Sequence, residues 1–302
     1  MKTLYLVTGF LGSGKTTFVN SAIKIFPDKR IAVIVNEFGK QGVDGSLFSG
    51  KGFEVTEISN GSIFCVCRLD MFIDALIQAA QSPVDVLFVE TSGLSNPTNI
   101  DDVLAQTKAI SGEIFDYRGC ICMVDAANFE KVYATAVVTP YQVKQSSLVV
   151  INKIDLVKEE KIEKTERIIR SLNQSCDICR TTYADIPCDL LMDLMPNPNR
   201  VLGGKQDLVS GSLTFKVLNK PDKNTFLKLT DGIKTIIYRC KGYVTLSDGD
   251  YFVDGVMDDI SFKRMEIQHQ QGIVLLYKTS GHVKKVIRSV AMENNIEIEI
   301  IT

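Results

Sequence analysis

The residues most capable of chemistry lie close to the N-terminus. Gly9-Phe10-Leu11-Gly12-Ser13-Gly14-Lys15-Thr16 fits the pattern G-x-x-x-x-G-K-[ST], with an apolar run at 3–8 before it and a stretch of helical spacing after it. Glycines let a backbone wrap close to a polyphosphate, so that its N–H groups and the start of the following helix face the negative charge. Gly12, Ser13, Gly14, Lys15, Thr16 and Thr17 are therefore the expected phosphate-side contacts. Lys15 would reach the β- and γ-phosphates, and Thr16 would supply a Mg²⁺ ligand.

A second string, Asn152-Lys153-Ile154-Asp155, follows another apolar run and has the form N-K-x-D. A carboxylate at Asp155 accepts from both the ring N–H and the exocyclic amine of guanine, whereas adenine would set an acceptor against it. Asn152, Lys153 and Asp155 thus point to GTP and GDP rather than ATP, which disfavours a small-molecule kinase. Downstream, Asn173-Gln174-Ser175-Cys176 is the expected closure over the base, with Cys176 in a place that usually takes a small residue.

A third group follows the run VDVLFVE, which ends at Glu90 and leads into Thr91-Ser92-Gly93. A carboxylate at a strand end beside a phosphate loop holds Mg²⁺ directly or through water, or orients the attacking water. A glycine N–H just beyond senses the γ-phosphate. Lys15, Glu90 and Gly93 form the expected catalytic set, with Thr16, Asp44 and Glu90 on the Mg²⁺ side. Asp125, at another strand end, is as compatible with a structural role.

These strings need a scaffold. Apolar strands are predicted at 3–8, 31–36, 84–90, 120–126 and 147–152, each separated from the next by enough chain for a crossover helix. The implied fold class is α/β: a mainly parallel, helix-covered P-loop NTPase sheet with ligand chemistry at the C-terminal strand ends. Residues 195–212 turn to Pro, Asn and Gly and read as a linker. Beyond it a smaller α+β domain is expected: a strand, a helix over 224–239, hairpin strands at 242–256, a further strand and a helix from 282 to about 294. The expected domains are 1–205 and 206–302.

With 302 residues, 45% of them apolar, two cores are affordable. A formal net charge of −2 argues against a nucleic-acid surface. No window has the length of a membrane span, and the start lacks a signal-peptide h-region, so the expected location is cytoplasmic. The eight cysteines then read as thiols or metal ligands rather than disulfides. Cys120 and Cys122 share one face of a buried strand and read as core. Cys176 and Cys179 form a C-x-x-C without a second pair. His269 and His282 read as solvent-facing or hydrogen-bonding residues.

GFLGSGKTT, VNEFG, ETSGLSNP, VDAANF and NKID, in this order, resemble the CobW/HypB/UreG family of metal-linked GTPases, in its CobW-like branch. KGYV at 241–244 is similar to the hairpin of a CobW C-terminal domain. The resemblance implies slow GTP hydrolysis coupled to metal delivery or metallocofactor assembly, a client metalloenzyme or metallocofactor protein, and pairing of two copies across the nucleotide. It also implies that Glu90 replaces an aspartate. The family's C-x-C-C motif after Asn-Gly is here Asn60-Gly61-Ser62-Ile63-Phe64-Cys65-Val66-Cys67, which retains one of its cysteines, Cys65. Two thiols do not close a tetrahedral site, so Cys65 and Cys67 need a further ligand from Glu37, from another cysteine or from a second subunit. Soft ligands favour Zn²⁺ or Co²⁺. The eroded motif leaves a second reading open, a GTP-gated chaperone of a corrinoid or other cofactor enzyme without a metal site of its own.

Overall fold

The computed structural model describes residues 1–37, 53–59, 69–112, 115–201, 211–256, 259–266, 271–277 and 283–301. Two compact units result, Met1–Leu208 and Val209–Thr302.

In the first unit, seven strands form one sheet: β1 (Lys2–Thr8), β2 (Ile31–Glu37), β3 (Phe53–Ser59), β4 (Val86–Glu90), β5 (Phe115–Asp125), β6 (Leu148–Asn152) and β7 (Asp177–Arg180). Their order is β3-β2-β4-β1-β5-β6-β7, and every neighbouring pair is parallel. The helices between them are α1 (Lys15–Ala22), α2 (Leu69–Gln81), α3 (Ile100–Ser111), α4 (Phe129–Thr135), α5 (Val138–Gln145) and α6 (Glu159–Leu172), and α7 (Cys188–Met192) follows the last strand.

Alternating side chains of each central strand feed two cores. Tyr5 and Val7 pack with Phe18 and Val19 of α1 on one face, while Leu4 and Leu6 pack with Phe72 of α2 and Val103 of α3 on the other. Phe18 and Phe88 are wholly buried, each contributing about 2–3 kcal/mol by leaving water. Because both faces are covered, these strands are continuous apolar runs.

The adjacent strands β1 and β4 send their chains to opposite faces, through α1 and α3 respectively. Diverging connections open a crevice at the carboxyl ends of two neighbouring strands, where ligands bind in sheets of this type. Both the glycine loop and Glu90 begin at that crevice.

β3 and β7 were not among the predicted strands. Both are sheet edges, and the polar residues of FEVTEIS and DICR break the apolar run that marks a central strand.

The second unit is a six-stranded antiparallel sheet of β8 (Gly211–Val217), β9 (Ile237–Leu246), β10 (Gly249–Val256), β11 (Asp259–Arg264), β12 (Gly272–Tyr277) and β13 (Ile298–Ile300). Helices α8 (Lys223–Ile233) and α9 (Val283–Glu293) pack on it through Phe226, Leu229 and Ile287. Asp222 caps α8, its Oδ1 accepting from the N–H groups of Asn224 (2.9 Å) and Thr225 (3.1 Å).

The predicted helix over 224–239 instead ends at Ile233, and Ile237 begins a strand. The β-branched residues there suit a pleated surface, and Ile237 and Cys240 join the sheet's core. Within KGYV, Gly242 has φ +150°, and a Cβ would lie 2.0 Å from the Gly272 carbonyl oxygen, so only glycine lets these strands meet.

Candidate functional site

The loop between β1 and α1 is built by three left-handed glycines: Gly9 (φ 129°), Gly12 (73°) and Gly14 (101°). A Cβ on Gly9 would lie 2.2 Å from the Met123 carbonyl oxygen, so the loop opens tight against β5. The Ser13 hydroxyl donates to the Phe10 carbonyl at 2.8 Å and closes the turn. Helix α1 starts at Lys15 with no acidic residue in its first turn, leaving a positive helix end facing the loop. Buried Lys15 Nζ donates to the carbonyls of Gly9 (3.0 Å) and Phe10 (3.1 Å).

Thr16 and Glu90 come together from different elements. Thr16 Oγ1 donates to Glu90 Oε1 at 2.8 Å, and Glu90 is 4% exposed. The next residues are also anchored: Thr91 N–H donates to the Val7 carbonyl (2.9 Å) and Ser92 N–H to Asn36 Oδ1 (3.3 Å). Gly93 lies against the glycine loop, where a Cβ would sit 2.5 Å from Leu11 N.

The two distant strings meet through one side chain. Asn152 Nδ2 donates to the Ser13 carbonyl at 3.1 Å, and its Oδ1 accepts from Ala184 N–H at 3.0 Å. A Cβ on Gly14 would strike that amide, 2.5 Å from Nδ2. Asn152 therefore rivets the glycine loop to its own strand end and to the turn after β7. Replacing it with alanine leaves the buried Ser13 carbonyl and Ala184 N–H without it, an expected loss of about 2–4 kcal/mol. Urea unfolding of Asn152→Ala measures this; a midpoint equal to the parent's would refute the bracing role.

Lys153, in the left-handed region at φ 61°, turns the chain so that Asp155 follows on an exposed helical turn. Lys153 Nζ pairs with Asp125 Oδ2 at 2.7 Å, and Asp125 also accepts from Ala127 N–H (2.8 Å) and Asn128 Nδ2 (3.2 Å). Asp125 is thus the partner that orients Lys153. Sequence reading left its role open, because the pairing depends on β5 and β6 being neighbours.

The structure does not bring Cys176 to this edge. Cys176 precedes β7, whose first residue pairs with Leu148 at the start of β6, so it lies at the amino end of the sheet, opposite Asn152. Asn173 is structural there, donating from Nδ2 to the carbonyls of Val143 and Ser146, both at 2.8 Å. The turn beside Asn152 is instead residues 181–185, where Tyr183 (φ 56°) and Ala184 (φ 59°) are both left-handed. Recognising DICR as a strand would have located it.

Five of the six described cysteines are buried as core residues, and Cys188, at the start of α7, is exposed. Burial pushes the Cys120 thiol up to about 12 and raises that of Cys122 further. Cys176 and Cys179 fall in cores on opposite faces of the sheet, so this C-x-x-C cannot pinch a metal. Burial also raises both thiols. Cys240 is buried in the second unit's core, its thiol likewise pushed up to about 12 by burial. Among the described residues no cluster of three or more His, Cys, Asp or Glu could hold a metal ion. Thr17 lies in the first turn of α1. Asp44, Cys65, Cys67, His269 and His282 lie outside the described residues, as does the side chain of Glu37, whose backbone ends β2.

A family model described as "CobW/HypB/UreG, nucleotide-binding domain" matches residues 3–180. The chain is 27% identical over 220 residues to zinc-regulated GTPase metalloprotein activator 1 of Dictyostelium discoideum, covering 60% of this chain and 46% of that protein. It is 22% identical over 325 aligned positions to the protein of that name in Saccharomyces cerevisiae, covering 94% of this chain and 73% of that one. To zinc chaperone YeiR of Escherichia coli it is 38% identical over 121 residues, covering 40% and 36%. The chain thus matches less than half the length of two of these three relatives. Among the described residues no helix is long and apolar enough to cross a membrane.

Proposed function

Since the chain belongs to the CobW/HypB/UreG family through its nucleotide-binding domain, we propose that it is a Mg²⁺-dependent GTPase whose cycle drives metal delivery to a client metalloprotein. The observation that carries this reading is Asn152, which ties the phosphate cradle to the strand end bearing Lys153 and Asp155. One nucleotide then has its phosphates at Gly12 to Thr17 and its guanine at Asp155 and the turn at 181–185.

The donor chemistry fits Mg²⁺: Thr16 Oγ1 and Glu90 Oε1 are hard oxygens 2.8 Å apart beside the cradle. Thr16 and Glu90 would hold the ion with Asp44, and it would neutralise charge developing on the phosphates. Lys15 does the same from within the loop, and the Gly93 N–H faces the γ-phosphate. Glu90 also orients the attacking water. Glu90→Gln keeps an acceptor for Thr16 but loses the charge, so hydrolysis should slow about 10²-fold with GDP affinity retained. Turnover at the parental rate would remove Glu90 from the mechanism.

The cargo is the part carried by the thiols. Cys65 and Cys67, with Glu37 as a third ligand, favour zinc or cobalt, and the relatives' names, zinc chaperone and zinc-regulated activator, support zinc. Transfer requires that nucleotide state change metal affinity. Zinc affinity measured with GDP and with a non-hydrolysable GTP analogue should differ by about tenfold or more. Equal affinities, or affinity unchanged in Cys65→Ala, would favour the second reading, a GTP-gated chaperone of a cofactor enzyme without its own metal site.

A further inference from the structure

We infer that Gln142 of α5 is a positioning residue for GTP hydrolysis, holding the segment after Glu90 in the shape that presents the Gly93 N–H. Gln142 is wholly buried, and its Nε2 donates both hydrogens, to the carbonyls of Gly93 (3.1 Å) and Ser95 (3.2 Å). The Gly93 N–H belongs to the peptide between Ser92 and Gly93. Asn36 fixes this segment on one side through Ser92 N–H, and Gln142 fixes it on the other through the Gly93 carbonyl. Gly93 also presses on the phosphate loop at Leu11, so a shift here reaches the cradle.

The other end of the same amide argues against simple packing. Gln142 Oε1 is buried with no hydrogen-bond partner among the described residues. A half-satisfied amide in a core is costlier than an unbranched apolar chain of equal length. Turning the amide over would set Oε1 against two carbonyl oxygens, so its orientation is single-valued. The clamp is useful where the segment must stay in one of two arrangements, as a γ-phosphate sensor must.

The inference rests on the GTPase reading, and the experiment separates the two. Hydrolysis of GTP and competition by GDP in the unmodified chain test that reading alone. Gln142→Met, similar in length and without donors, should retain GDP affinity within about twofold while kcat falls about tenfold, the equivalent of one lost hydrogen bond. Gln142→Glu should show a pH signature. An ionised carboxylate repels both carbonyls, whereas its protonated form donates to one of them. Its rate relative to the parent should therefore recover as pH falls.

A parental kcat in Gln142→Met, or a pH-independent ratio in Gln142→Glu, would overturn the proposal while leaving the GTPase reading intact. Loss of GDP affinity in both variants would mark the residue as merely structural and overturn it equally.

Discussion

Replacing Lys15 with alanine is expected to abolish tight nucleotide binding while leaving the fold in place. The ammonium is held inside the glycine loop by the Gly9 and Phe10 carbonyls at 3.0 and 3.1 Å, so it is pre-positioned for the polyphosphate of the proposed nucleotide. Each charge-assisted hydrogen bond to phosphate is worth about 1.5–3 kcal/mol, and two of them make a loss of about 10²- to 10⁴-fold in affinity. The fold has less at stake, because alanine favours the helix that Lys15 begins and removes a buried charge. Thermal unfolding reads both quantities. Saturating GTP raises the parent's melting temperature by mass action, whereas Lys15→Ala should start near the parental value and fail to respond. A preserved GTP-induced rise would mean that the cradle does not hold the phosphates.

The second large effect concerns the base. Asp155→Asn should reverse preference between guanine and xanthine nucleotides. Guanine offers two donors on one edge, which a carboxylate accepts together; asparagine offers one acceptor and one donor. Xanthine carries a carbonyl where guanine carries the amine, and so matches the amide. Sites built to pair with specific polar groups discriminate by several orders of magnitude, and about 10³-fold is expected here. Competition of XTP and GTP for each protein is the measurement. Undiminished GTP selectivity in the variant would assign base reading elsewhere, to the turn at 181–185.

Much of this site was legible because its parts are local. The glycine loop needs only a strand, three glycines free to take positive φ and a helix start, all contiguous in the chain. Central strands were legible because burial on both faces makes them unbroken apolar runs. What escaped detection depended on neighbours. β7, an edge strand, carries the polar residues Asp177 and Arg180, and without it the expected closure fell on Cys176, which lies at the end of the sheet opposite Asn152. The Asn152 rivet and the Lys153–Asp125 pair join loops separated by 139 and 28 residues, and no periodicity encodes such contacts. The end of α8 was misjudged because Ile236, Ile237 and Tyr238 satisfy a helical pattern as readily as a pleated one, and packing decided between them.

The burial of Cys120, Cys122, Cys176, Cys179 and Cys240 has a practical corollary. Thiolate is the species that alkylating reagents attack, and these groups are held in the unreactive form by their surroundings. Iodoacetamide footprinting of the native protein should therefore mark Cys188, the exposed one among the six described cysteines, as an internal standard while the core stays silent. Against that background, zinc-dependent protection of Cys65 or Cys67 registers cleanly, and the cargo hypothesis becomes a mass-spectrometric measurement on unmodified protein.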